Sequence, residues 1–292
     1  MTTTAASRSA AAARKGAPKS PISMRRVAIG LLLAAIGFAC VAWAPAFALL
    51  VLLVATGCLY EFAGLSARKG PAVELPVAMA AVWAYLILTY LGEIHRYEGI
   101  LLAATVIVAL ATAGFAGESG YLARSGFTLL GVLYIGKLLS YFIAVRALHD
   151  GAAWMVWLIF LVAFTDIFAM LVGTAVGKHQ LTRLSPKKTV EGAIGGYVFA
   201  LLAGVAIAFV PWLHVTWWQG ALVGTITSLA AQAGDLVESA LKRDAKVKDA
   251  GSLIAGHGGV LDRFDSYIFG GVGFYFALYL IGVVPHSRMF PV

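Results

Sequence analysis

The sequence predicts an all-α, polytopic integral membrane protein of about nine transmembrane helices with its N-terminus in the cytoplasm. Three observations predict it. Of the 292 residues, 61% are hydrophobic and 12% are charged, whereas soluble proteins hold about 45–50% apolar and ~25% charged residues. The apolar residues gather in windows long enough to cross a hydrocarbon layer ~30 Å thick. The basic residues gather between alternate windows, on one side of an up-and-down threading. Together these exclude collagen-like, disordered, disulfide-scaffold and ordinary globular chains.

In chain order, residues 1–26 carry Arg8, Arg14, Lys15, Lys19, Arg25 and Arg26 and no acid. They read as a disordered basic cytoplasmic tail. A basic segment followed by an apolar run ending Ala-Pro-Ala-Phe-Ala at 44–48 also has the form of a cleavable signal or transit peptide. The length of that run, and its direct continuation into another, favour the tail. Spans are predicted at 27–43, 46–62, 73–92, 99–117, 126–145, 152–177, 193–213, 216–240 and 266–285. The chain is thus a tail (1–26), N-terminal helices (27–125) and a C-terminal region (126–292) that holds the chemistry. Cys40 and Cys58 lie inside apolar runs, as small hydrophobes without a zinc spacing.

With the N-terminus inside, eighteen of the 22 Lys and Arg are cytoplasmic; Arg96, Arg146 and Arg288 lie opposite, and Lys137 falls within a span. This asymmetry sets the orientation and accounts for the net charge of +8 without any nucleic acid as partner. Trp43, Tyr60, Tyr97, Trp212, Trp217, Trp218 and Tyr267 fall near span ends, where amphipathic rings suit the headgroup zone. Only the cytoplasmic connections 178–192 and 241–265 are rich in chemistry.

Lys137 and Asp166 each lie about eleven residues, or ~17 Å, from the cytoplasmic ends of consecutive spans. Equal depth predicts either a structural ion pair between them or a polar cavity open to the cytoplasm, because a lone charge there is costly. In the first connection, Ser185-Pro186-Lys187-Lys188-Thr189-Val190-Glu191-Gly192 precedes Gly195-Gly196. Paired ammonium groups attract phosphate, and Ser185, Thr189 and glycine amides can donate to it. Two lysines at a helix end are also an ordinary topology signal.

The second connection is denser. Asp235, Glu238 and Ser239 are spaced i, i+3, i+4, and the same face continues to Lys242 or Arg243 and to Lys246. A face that turns from acid to base suits a hard cation held with a polyphosphate. Gly256, Gly258 and Gly259 allow a ligand to approach the backbone closely. Asp262 and Asp265 are again i, i+3, although Asp265 or Ser266 could simply cap the last span. His257 has no second histidine nearby to suggest zinc.

The run from Ser239 through Lys242-Arg243, Lys248-Asp249, Gly251, Gly256-His257-Gly258-Gly259 and Asp262-Arg263 to Asp265 closely resembles the signature of the phosphatidate cytidylyltransferases, or CDP-diacylglycerol synthases. The stretch Ser185 to Gly192 is similar to that family's second recognisable stretch, and Asp166 falls where its preceding aspartate is expected. The resemblance covers the C-terminal half specifically. Two departures stand out: Ala255 where the family usually has proline, and Thr174 after Gly173 where it tends to have arginine.

The resemblance implies transfer of CMP from CTP to phosphatidate, with Mg²⁺ as one ion or two, at the cytoplasmic face of a membrane. On it, Asp235 and Asp262 hold the metal. Lys187, Lys188, Lys242, Arg243, Lys248 and Arg263 neutralise phosphate, while Asp249 and His257 steer the nucleotide or order the loop. Ser239 donates to a phosphate or to Asp235. Ser185, Thr189, Glu191, Gly256, Gly258, Gly259, Asp265 and Asp166 complete the substrate site. A bacterial inner membrane is expected from the short loops, membrane lipids surround the chain, and a homodimer is left open. Two other readings stand beside this one: a CTP-dependent polyprenol- or phytol-type lipid kinase, and a transporter of a phosphorylated solute motivated by Lys137 and Asp166.

Overall fold

The computed structural model describes residues 24–70, 72–115, 120–253 and 258–285. Most of the expected basic tail, together with Ala255, Gly256, His257 and Arg288, lies outside the described residues. Nine helices follow one another among those described: α1 (Met24–Ala42), α2 (Ala44–Ala67), α3 (Leu75–Tyr90), α4 (Ile94–Phe115), α5 (Tyr121–Arg146), α6 (Gly151–Val176), α7 (Val190–Ala206), α8 (Trp217–Asp244) and α9 (Leu261–Leu280). The chain divides at Ile36 into two units; up to Ile36 it is helical from Met24, and a packed body begins at Gly37.

Local sequence sets the helix starts. Pro45 and Pro76 stand in the first turns of α2 and α3, where a missing N–H costs nothing. Thr216 and Gln219 form a capping box at the start of α8, the Gln219 Oε1 accepting the Thr216 N–H at 2.9 Å. Between α5 and α6 the chain turns so tightly that a side-chain carbon on Gly151 would strike the Arg146 carbonyl. The helices α2, α4, α5 and α6, and α7 continued to Phe209, are long and apolar enough to cross a membrane. This is an all-α membrane protein, as the composition predicts.

The structure differs from the sequence reading in informative places. Strands β1 (Gln180–Thr182) and β2 (Ser185–Thr189) pair antiparallel within the first connection, Gln180 opposite Thr189 and Thr182 opposite Ser185. The helix α4 starts at Ile94 rather than 99, which brings Glu98 into it. That shift overturns the expected pair between Lys137 and Asp166: Lys137 forms its ion pair with Glu98 and lies 5.2 Å over the Tyr141 ring. Lys137 ends a π-helical segment, Val132–Lys137, in the middle of α5. Trp43, Tyr60, Trp212, Trp217 and Trp218 are exposed as anchors should be, but Tyr267 is half-buried against Phe264.

The core of the body centres on Tyr85, Leu86, Ile135, Leu139, Met155, Leu158, Ile268, Phe274 and Leu278, all nearly inaccessible. Small residues bring the C-terminal helices together, as in membrane helix packing generally. Gly204 on α7 lies against the backbone of Gly220 and Gly224 on α8, and Gly273 on α9 against Ala230 on α8. Gly220→Leu should therefore destabilise the body by at least about 1–3 kcal/mol through overpacking. Gly126→Ala, with nothing within 4 Å of the new carbon, should be neutral or slightly stabilising. Thermal unfolding of the two variants in detergent checks the contrast.

Candidate active site

At one end of the helices, β2 and the facing ends of α6, α7 and α8 enclose a cavity of about 420 Å³. It is lined by Asp166, Gly173 and Thr174 from α6, Ser185, Lys187, Lys188 and Thr189 from β2, Gly192 from α7, and Gln232 and Asp235 from α8. The hairpin carries both adjacent lysines to the cavity wall. Thr189 ends β2 and caps α7, its Oγ1 accepting the Gly192 N–H at 3.1 Å. A side-chain carbon on Gly192 would stand 2.6 Å from the Ala169 carbonyl, so glycine there lets α7 close against α6.

Within the cavity Lys188 pairs with Asp235. Asp166 accepts from the buried Ser266 hydroxyl at 3.2 Å, which ties α6 to α9. Asp265 accepts the Ser266 N–H at 2.7 Å and lies close enough to Asp166 and Asp235 to interact electrostatically with both. Neither Asp265 nor Ser266 is the cap of α9, because that helix already begins at Leu261. Thr174, standing where an arginine was expected, turns its hydroxyl back onto the Leu171 carbonyl at 3.0 Å.

Glu191, expected to bind substrate, points elsewhere. Its carboxylate accepts the backbone N–H groups of Lys178 at 3.0 Å and His179 at 3.2 Å, and meets His179 Nδ1 at 2.6 Å. It clamps the approach to β1 instead of lining the cavity.

A second cluster continues along the seam of α8 and α9. The Lys242 ammonium lies 2.7 Å from Asp262 Oδ1 and also pairs with Glu238, which is wholly buried. Asp262 accepts the N–H of Ala250 at 3.0 Å and of Gly259 at 2.9 Å. One carboxylate therefore fastens both arms of the connector to α9. Arg243 donates to the Leu184 carbonyl at 3.3 Å and the Val247 carbonyl at 3.2 Å, joining the hairpin turn to that connector. Ser239 is buried, Gly258 takes a positive φ of 86°, and Lys248, Asp249 and Arg263 are exposed.

Asp235 and Asp262 thus lie on one packed helix pair, each with a lysine ammonium on its carboxylate. Among the described residues no group of three or more His, Cys, Asp or Glu is placed to hold a metal ion. The donors present are carboxylate and hydroxyl oxygens, the type a hard cation takes, and Mg²⁺ usually completes its shell with phosphate oxygens and water. The chemistry of the donor set fits such an ion.

Two participants escape the sequence reading. Gln232 lines the cavity and donates to the Ala193 carbonyl at 3.3 Å. Glu61 on α2, only 4% exposed, accepts the Leu261 N–H at 2.8 Å. The available signal for Glu61 is an acid inside an apolar run, one residue from the end of the predicted span 46–62, where a buried charge is expensive unless it has a partner.

Fold and cavity together define a polytopic membrane protein that gathers lysines, hydroxyls and carboxylates around one cavity at an end of its helices. The chain belongs to the Cytidylyltransferase family, whose model matches residues 24–281. It is similar to the phosphatidate cytidylyltransferase of Bacillus subtilis (strain 168), 35% identical over 239 residues, 79% of this chain and 88% of that one. It is similar also to the phosphatidate cytidylyltransferases of Staphylococcus haemolyticus, 41% identical over 146 residues, and Synechocystis sp., 39% over 188 residues. These two alignments cover 50% and 54% of this chain, and 55% and 63% of the relatives.

Burial separates the two lysine pairs. Lys242, Glu238 and Asp262 have side chains 14%, 0% and 10% exposed, while Lys188 and Asp235 are 26% and 29% exposed. Lys242→Met leaves buried carboxylates uncompensated and should destabilise by about 3–5 kcal/mol. Lys188→Met should unfold close to the wild-type temperature in the same detergent, and a reversed order would contradict this assignment of burial.

Proposed function

We propose that this protein is an integral-membrane phosphatidate cytidylyltransferase of phospholipid biosynthesis, transferring CMP from CTP to phosphatidate to give CDP-diacylglycerol and pyrophosphate. The observation that carries it is the cavity where Lys187 and Lys188 face Asp166 and Asp235, in a chain matching the family over 24–281. A non-bridging oxygen of the lipid phosphate attacks the α-phosphorus of CTP. One P–O bond forms while the α–β bridging P–O bond breaks, and the electron pair leaves with pyrophosphate. No protein nucleophile is required, so catalysis rests on positioning and on neutralising charge.

The residues divide this work. Lys187 and Lys188, carried on a hairpin, reach the phosphates from one side, and Lys242 and Arg243 at the end of α8, Lys248 on the connector and Arg263 in the first turn of α9 add positive charge around them. Ser185, Thr189, Ser239 and the amides of Gly258 and Gly259 supply hydrogen-bond donors. Mg²⁺, when bound, would neutralise the phosphate oxygens, and Asp235 and Asp262 are the residues proposed to hold it. The excess of Lys and Arg on the side of these loops supports a cavity facing the cytoplasm of a bacterial inner membrane. The transporter reading loses its motive, since Lys137 and Asp166 have separate partners.

Purified protein in detergent with phosphatidate, labelled CTP and Mg²⁺ should release pyrophosphate and place label in the lipid extract. Release of CDP with a phosphorylated alcohol would identify a kinase instead. Chelation with EDTA should abolish transfer and added Mg²⁺ restore it. Asp235→Asn and Asp262→Asn should each lower kcat at least 100-fold while the protein still inserts and elutes as a single species; near-normal rates would refute the metal assignment.

A further inference from the structure

Among the described residues the N-terminal half of the chain reaches the signature connector through Lys69, whose ammonium pairs with Asp244 at 2.9 Å, and through a seat formed by Gly57 and Glu61. These residues are i, i+4 on α2 and share a face. A side-chain carbon on Gly57 would stand 3.1 Å from Val260 Cγ2, so the glycine receives the corner that precedes α9. One turn further on, Glu61 Oε2 accepts the Leu261 N–H at 2.8 Å. That N–H belongs to the first residue of α9, whose opening amides have no partner within the helix and attract negative charge.

The glycines of the connector are shaped around the same carboxylate. At Gly251 the three atoms nearest to an added carbon all belong to Glu61, and at Gly259 the carbon would be 2.5 Å from Glu61 Oε2 and 2.8 Å from Asp262 Oδ2. Glu61 therefore packs against both arms of the connector, at Gly251 beside the Ala250 amide that Asp262 binds and at Gly259, whose amide Asp262 also binds. Its other oxygen, Oε1, is buried and has no hydrogen-bond partner among the described residues. An acid kept in so apolar a helix has no solubility or topology role to explain it.

We propose that Glu61 is a positioning residue for cytidylyl transfer: it pins the arms of the signature connector and the first turn of α9, and so fixes the direction of the Asp262 carboxylate. The inference rests on the function proposed above for the site. Glu61 touches no substrate; it acts through Gly251, Gly259 and Leu261. Groups standing behind a metal-binding or phosphate-binding residue typically change affinity or activity 10–100-fold when removed.

The test combines kinetics with amide hydrogen exchange on full-length protein in detergent. Glu61→Leu should lower kcat 10–100-fold and raise the Mg²⁺ concentration for half-activity, with the KM for phosphatidate within twofold. Glu61→Gln, which retains an oxygen for the Leu261 N–H, should recover kcat to within about fivefold of wild type. Peptides covering Ala250 and Gly259–Leu261 should exchange at least tenfold faster in Glu61→Leu, while peptides from α6 are unchanged. Gly251→Ala should impair the wild-type background yet add nothing to Glu61→Ala, since the two substitutions remove one contact. Unchanged exchange in Glu61→Leu, or fully additive losses, overturns the proposal even if the wild type makes CDP-diacylglycerol. Faster exchange in Glu61→Leu together with a wild type that makes no CMP-lipid supports the pinning and sinks the enzymatic reading alone.

Discussion

Carboxylates carried by helices in hydrocarbon need a cation or a set of amides, since even one unpaired charge at mid-bilayer costs at least ~2.5 kcal/mol. In this body that requirement builds the joints between elements. Lys188 on the hairpin holds Asp235 on α8, Lys242 on α8 holds Asp262 on α9, and Lys137 on α5 holds Glu98 on α4. Asp262 adds two backbone amides, and Asp166 reaches the Ser266 hydroxyl across to α9. The groups proposed to do the chemistry are the groups that fix where the helices and connectors meet.

Such pairing works only if the helices approach closely, and glycine makes that possible. Gly192 and Gly196 seat α7 on α6, Gly204 and Gly220 join α7 to α8, and Gly234 lies beside the Asp265 carbonyl on α9. With larger residues at these crossings, side chains as short as aspartate could not span the gaps. Close packing and charge compensation are one constraint in this fold.

The sequence shows the helices because hydrophobic runs and their breaks are local: each predicted span finds a helix at its place among the described residues, five of them long and apolar enough to cross a membrane. It shows Lys187-Lys188, which line the cavity, and the Gly258-Gly259 run because both lie beside polar neighbours. It hides contacts whose partners are distant. Glu61 meets Leu261 200 residues later, and no periodicity reports that. Lys137 was misread because depth along two helices says how far each residue lies from the surface but not which way it points. The π segment before Lys137 and the earlier start of α4 aim it at Glu98 instead of Asp166. The hairpin was missed because each strand is short, polar and interrupted by Pro186, and thus lacks the apolar alternation that marks a half-buried strand.

The cavity walls hold two lysines and two aspartates. Their formal charges cancel, so the chamber as a whole favours ions of neither sign. At Asp235 a bare cation would have to displace the Lys188 ammonium, and at Lys188 a bare anion would have to displace the Asp235 carboxylate. A guest that brings both signs together lets that pair exchange its mutual contact for one with the guest, the ammonium taking an anionic group as the carboxylate takes a cationic one.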